Sequence, residues 1–298
     1  RWLGQPTWGS RAAGETIAQI FRFLKDHLQM IVFDSPNKRK RVGQISILVI
    51  HYTEIDFEAT KKRFLDSTQE VSAHIVIDQN GTVYCFVQDD DVAYHAGKQS
   101  YWYGLERINE YSIGIELVHP GFSQAQGVKV KGDAHLWVPY GDKQINTLIQ
   151  LCKDYAAKYD IAPQNIVGHS DVSPWRYGDK GKIDPGPLFP WRHLYNHGLG
   201  RWYSGFPGVT ASCTQCLETV STGIQEKVLD PDSASFRLVL EDNSVALRQL
   251  GYHVTDDPET IQMALKAFQM HYRPFDISGI PDEETLAIMA ALRQKMSI

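Results

Sequence analysis

Two histidines and one carboxylate stand out because each closes or follows a short run that reads as a strand. His51 ends Ile47-Leu48-Val49-Ile50, His169 ends Asn165-Ile166-Val167-Gly168, and Asp184 sits in the loop Lys182-Ile183-Asp184-Pro185-Gly186. Two imidazoles with one carboxylate make a metal site of the catalytic zinc type, in which three protein ligands leave a fourth position for water. The chain has 11 histidines, so accidental pairs are common. A histidine can equally cap a strand through a backbone hydrogen bond, and spacing leaves both readings open. Glu116, in Ser112-Ile113-Gly114-Ile115-Glu116-Leu117, alternates onto the face opposite Ile115. It is either an acid/base group facing such a metal or an outward carboxylate on a half-exposed strand. Lys182 and Asp184, two apart in an extended segment, project to one side, and Pro185-Gly186-Pro187 stiffens the loop just after them.

The elements that must position these residues follow from the apolar pattern. Ile47 to Ile50 is the continuous β-branched run of a strand buried on both faces, with a start as early as Ile45. His74 to Asp78, a tight turn at Asn80-Gly81, and Thr82 to Val87 read as a hairpin. Ile145, Leu148, Cys152, Tyr155 and Tyr159 fall at helical spacing and stop before Pro163. Strands interleaved with helices predict an α/β fold over residues 46–200, a mixed central β-sheet flanked by helices. Ahead of it, residues 1–45 read as a helical segment and loop packing on that domain, with Ile17, Ile20, Phe21, Leu24 and Leu28 on one face. Residues 201–233 have no sustained period and read as a linker. Residues 234–298 carry three short helices: Val245 to Tyr252 closed by Gly251, Ile261 to Met270, and one opened by Asp282-Glu283-Glu284-Thr285.

Composition bounds the function. A chain of 298 residues, 43% hydrophobic, can bury a sizeable core and fill two domains. With 30 basic against 35 acidic residues the net charge of -5 argues against nucleic acid as a main partner, which needs a basic excess. The longest apolar run, Leu286 to Leu292, is far short of the ~20 residues of a transmembrane helix. The chain begins at Arg1 without an initiator Met and reads as processed or trimmed. Cys213 and Cys216 form a lone CxxC, read as a local disulfide or two free thiols rather than a zinc site. The run Lys38 to Arg41 reads as a solvated loop. Trp102, Trp137 and Trp175 could offer flat faces to a sugar or peptide, but packing is the expected use.

Seven segments taken together are more specific. Leu48-Val49-Ile50-His51-Tyr52-Thr53, Val71-Ser72-Ala73-His74, Asn80-Gly81-Thr82-Val83-Tyr84, His95-Ala96-Gly97, Asn109 to Leu117, Val167-Gly168-His169-Ser170-Asp171 and Lys182 to Pro187 follow one another over about residues 46–192. In this order they resemble the zinc-dependent N-acetylmuramoyl-L-alanine amidases of the type-2 amidase family. The resemblance implies one Zn2+ held by His51, His169 and Asp184, with Glu116 as acid/base group and Lys182 as electrophilic helper. It places His95, Ala96 and Asn109 along the substrate cleft. It implies hydrolysis of the amide between N-acetylmuramic acid, or its anhydro form, and L-alanine in peptidoglycan or muropeptides. The expected compartment is the periplasm or the outer membrane surface. A non-catalytic peptidoglycan-recognition protein is the competing reading, disfavoured because such binders often lose a zinc ligand and this chain keeps the whole set. His74 reads as structural, His119 as loop polarity, and Asp171 as a turn or helix cap. The C-terminal part, through Leu247 to Tyr252, Ala267-Phe268-Gln269 and Ile277 to Asp282, resembles the three-helix peptidoglycan-binding domain of wall hydrolases. It departs from that pattern at Ser278 and Pro281, which leaves wall binding and structural support of the cleft as its alternatives.

Overall fold

The computed structural model describes residues 30–175, 181–203 and 243–294. The helix expected over Ile17 to Leu28, most of the 201–233 linker and the Cys213/Cys216 pair lie outside the described residues. In chain order the elements that matter are β1 (Ile31–Val32), β2 (Ile47–Tyr52), α1 (Phe57–Leu65), β3 (Ile75–Ile77), β4 (Val83–Cys85) and β5 (Ser112–Leu117). They continue with α2 (Asp142–Tyr159), β6 (Ile166–Gly168), α3 (His169–Val172), α4 (Trp191–Asn196), α5 (243–249), α6 (Pro258–Tyr272) and α7 (Glu283–Gln294).

The six strands form one mixed sheet in the order β1-β4-β3-β5-β2-β6. β3, β5, β2 and β6 run parallel, and β4 runs antiparallel to β3 in the expected hairpin, with Asp78 N–H donating to Thr82 O at 2.9 Å. Every residue of β2 is buried, as a central strand covered on both faces requires. α2 buries Ile145, Leu148, Ile149, Cys152 and Tyr155 in the core that also holds Leu48, Ile50, Ile113 and Ile115. Trp102 and Trp137 are core residues, 3% and 1% exposed, and offer no face to a ligand.

One expectation is corrected. Lys38–Lys40 is not a solvated loop but a strand paired antiparallel with Asp91–Ala93. Lys40 pairs with Asp90 and Asp91, and Arg39 with Glu110. The Arg41 guanidinium turns inward and donates to the carbonyls of Asp89, Asn109, Glu110, Asp91 and Ser112. Irregular backbone buried at that point needs donors, and one guanidinium supplies several in a fixed fork.

The C-terminal helices dock on the sheet domain. α5 is closed by a turn at Gly251 with φ of 104°, and the carbonyl of Gly251 accepts from Tyr103 N–H at 3.1 Å. Trp175 donates to His253 O at 3.2 Å and Arg201 to Leu292 O at 3.0 Å. The apolar core is continuous from the sheet into Leu247, Tyr252, Leu265, Phe268 and Ile288.

Candidate active site

Parallel strands bring their carboxyl ends to one edge, where open α/β sheets form their clefts. In the β2–β5 register His51 lies beside Glu116, so both side chains leave the same face. His169 begins α3 directly after β6, the strand on the other side of β2. The Asp184 loop is tied to α3 by Ser170 N–H donating to Asp184 O at 2.8 Å. It also lies close against β6, since a Cβ on Gly168 would fall 2.6 Å from Pro185 Cδ.

These constraints converge three donor atoms. His51 Nδ1 lies 3.0 Å from His169 Nδ1 and 2.9 Å from Asp184 Oδ2, and the third edge, His169 Nδ1 to Asp184 Oδ2, is 3.1 Å. Among the described residues this is the one cluster of at least three histidine, cysteine or carboxylate ligands able to share an ion. Tetrahedral ligands at zinc bond lengths of ~2.1 Å sit roughly 3.4 Å apart, so the triangle needs only slight opening to fit.

Proton counting supports the same fit. Ser112 Oγ gives its hydrogen to Ile108 O at 2.7 Å, so it accepts from His95 Nε2 at 3.2 Å. His95 Nδ1 then accepts from His51 Nε2 at 3.0 Å, which leaves the lone pair of His51 on Nδ1. His169 Nε2 faces Ala96 O at 3.3 Å, so its lone pair also sits on Nδ1. Two lone pairs and a carboxylate thus meet with no proton between them, an arrangement that a cation relieves. Burial lowers the His51 ring to about 4, with His169 adding to the effect, so it is neutral at pH 7. Neutral imidazoles and an ionised carboxylate are the protonation states a metal requires.

Glu116 has an Oε2 sealed from solvent with no partner among the described residues. Burial, with Asp184 adding and Lys182 opposing, pushes its carboxyl up to about 8. The Lys182 N–H donates to Ser173 O at 2.9 Å, and its positive charge acts on both Glu116 and His51.

The expected cleft residues sit behind the donors instead. The His95 ring is 7% exposed, with both nitrogens engaged by His51 and Ser112. Ala96 is fully buried and its carbonyl orients His169. Asn109 Oδ1 accepts from the His95 and Ala96 amides at 3.2 and 2.7 Å, fixing the segment that supports both rings. His74 accepts from Gly114 N–H through Nδ1, a structural role. His119 Nδ1 accepts from Gly121 N–H, and its ring stacks on Tyr140 at 3.9 Å. Tyr140, which the sequence reading did not single out, donates to Pro185 O at 2.8 Å and pins the Asp184 loop. Gly114 was the legible signal for the His95 support: a glycine inside a buried strand marks a close approach, and its missing Cβ makes room for the His95 ring.

The family model described as N-acetylmuramoyl-L-alanine amidase matches residues 41–187. N-acetylmuramoyl-L-alanine amidase AmiD of Escherichia coli is 36% identical over 261 residues, 85% of this chain and 83% of the relative. The 1,6-anhydro-N-acetylmuramyl-L-alanine amidase AmpD of Haemophilus influenzae is 32% identical over 52% of this chain and 83% of its own length. The solved structure of Escherichia coli AmiD with anhydro-N-acetylmuramic acid-L-Ala-D-gamma-Glu-L-Lys superposes with a TM-score of 0.65 at 33% identity, covering 84% of this chain and 89% of that one. AMPDH3 of Pseudomonas aeruginosa, in complex with anhydromuramic pentapeptide, gives 0.63 at 31% identity over 86% of this chain and 94% of that one. A match that includes the strand-end donors and extends through most of a full-length relative shows that this chain belongs to the N-acetylmuramoyl-L-alanine amidase family.

Proposed function

We propose that the chain uses one Zn2+, held by His51, His169 and Asp184, to hydrolyse the amide joining N-acetylmuramic acid, or its anhydro form, to L-alanine in muropeptides or peptidoglycan. The observation that carries this reading is the donor triangle with an unpartnered carboxyl oxygen of Glu116 beside it in strand register. A zinc ion bound there supplies Lewis acidity and a water of lowered pKa. The protein's own groups do the rest. Glu116 Oε2 accepts a proton from the attacking water and returns it to the nitrogen of the departing alanine. The Lys182 ammonium, whose charge acts on Glu116 and His51, neutralises the negative charge that grows on the carbonyl oxygen. His95 and Ala96 O hold the two imidazoles in the required tautomers.

A protein that only recognises wall fragments has no use for a carboxyl oxygen sealed from solvent without a partner among the described residues, which is a standing energetic cost. The anhydromuramyl peptides bound in the AmiD and AMPDH3 complexes support anhydro-muropeptide as the ligand class. We further read α5 to α7 as a wall-facing module and the periplasm or outer membrane surface as the site of action. In the loop where Ser278 replaces the usual aspartate, Asp276 Oδ1 accepts from Ser278 N–H at 3.1 Å and supplies a carboxylate nearby.

Chromatography of products from an anhydro-muropeptide tests the reaction. The expected products are free stem peptide and anhydromuramic acid, lost on chelation and restored by zinc. Cleavage within the stem, or full activity after complete zinc removal, rules the reading out.

A further inference from the structure

Asp171 stands two residues beyond His169 and is fully buried, 0% exposed. Its Oδ2 accepts from Gly168 N–H at 2.8 Å and so caps the turn that His169 opens. Its other two bonds come from the C-terminal part, one from the segment after α5 and one from α6. The Tyr252 hydroxyl donates to Oδ1 at 2.6 Å and His271 Nδ1 donates to Oδ2 at 2.8 Å. The Trp191 ring lies flat on His271, with centroids 3.9 Å apart and planes at 12°, and its edge reaches 3.3 Å from where a Cβ on Gly168 would stand. His271 Nε2 is buried without a partner among the described residues. A phenyl or leucyl group would pack there without that penalty, so packing alone does not account for the imidazole, whereas its bond to Asp171 does.

We propose that Tyr252 and His271 are positioning residues for the metal centre, acting through Asp171 to set where His169 Nδ1 points. The proposal rests on the reading of His169 as a zinc ligand. At four residues, α3 is too short to hold its own geometry and depends on what it is tied to. Its Ser170 amide holds Asp184 O at 2.8 Å, so displacement of the turn carries the second ligand with the first. The C-terminal helices thus complete the shell around the metal ligands, in addition to any contact they make with the wall.

The test uses the full chain as Tyr252→Phe, His271→Ala and His271→Asn, with Arg201→Met as control. Arg201 bonds to Leu292 O across the same interface but makes no bond to Asp171. Zinc affinity is read by competition with a chromogenic chelator, at a temperature where circular dichroism shows every variant folded. Tyr252→Phe and His271→Ala are expected to bind zinc about 10-fold more weakly, as loss of outer-shell partners does, with kcat falling and KM little changed. His271→Asn, whose amide can donate in place of Nδ1–H, recovers most of the affinity, and Arg201→Met binds as wild type. Lower melting temperatures with zinc affinity within twofold of wild type in Tyr252→Phe and His271→Ala would overturn the proposal. A wild-type chain that takes up no zinc removes the metal reading and this proposal with it.

Discussion

Glu116 and the three donors do different work, and single substitutions separate them. His169→Ala or Asp184→Ala removes one of three ligands and should abolish metal and turnover together. Glu116→Gln keeps shape and ligands, so zinc content should stay near one per chain while kcat falls roughly 10²- to 10⁴-fold. Equal metal loss in all three, measured by elemental analysis, defeats the division of roles. Charge gives a finer test. Only the ionised Glu116 can accept a proton, and a carboxyl raised to about 8 ionises as pH climbs through that range, so kcat/KM should rise along an acid limb. Lys182 opposes the rise in this pKa, so Lys182→Met should move the limb to higher pH, by roughly one unit in the residual activity. A bound cation pulls the limb down in both proteins, which makes the direction of the shift the decisive reading; an unmoved or lowered limb uncouples the two residues. The sequence placed these residues at strand ends or in a stiffened loop, while their roles as ligands and acid/base group came from the resemblance of seven ordered segments, because position alone left the strand-capping and outward-carboxylate readings open. Beyond the close approach that Gly114 marks, the supporting role of His95, Ala96 and Asn109 was not legible, since it depends on which way a buried ring and a carbonyl face.

At the scale of elements, the β2–β5 register converts two distant residues into neighbours, and His51 beside Glu116 is its consequence. The strands were legible because a buried parallel sheet writes itself in β-branched runs. Lys38–Arg41 was misread because Asp90, Asp91 and Glu110, which neutralise it, lie far along the chain and meet it only in the fold. Gly114 joins strand and site. A Cβ there would stand 2.4 Å from His95 Cγ, and the ring cannot retreat without breaking its bonds to His51 and Ser112. Gly114→Ala should therefore destabilise the fold by about 2 kcal/mol, in the range of overpacked cores, and weaken zinc binding as well. Thermal melting and chelator competition on the same sample decide it, and a variant indistinguishable from wild type in both would show that His95 does not pack where the structure puts it.

At the scale of the molecule, the three C-terminal helices were legible from spacing and caps, but their docking was not, because it turns on single buried atoms of Tyr252 and His271 that no periodicity marks. The same core sets how the whole fold responds to acid. His74 is 0% exposed, and burial, reinforced by the Arg41 guanidinium, lowers its ring to about 4 from an ordinary 6.5. The folded chain therefore keeps this ring neutral while the unfolded chain takes up a proton, so between about pH 6.5 and 4 the unfolded state binds more protons and stability falls as pH falls. The contribution is fully present above 6.5 and lost once pH has dropped through 4. A shift of that size corresponds to something on the order of 3 kcal/mol. His74→Asn, whose side-chain oxygen can accept from Gly114 N–H in place of Nδ1, does not titrate. Its unfolding free energy from urea melts at a series of pH values should begin below that of wild type at pH 7 and decline less steeply between 6.5 and 4. The two curves should converge near pH 4. Parallel curves across that window would mean that His74 is not held neutral by the fold, and the acid sensitivity would then have to come from other buried groups.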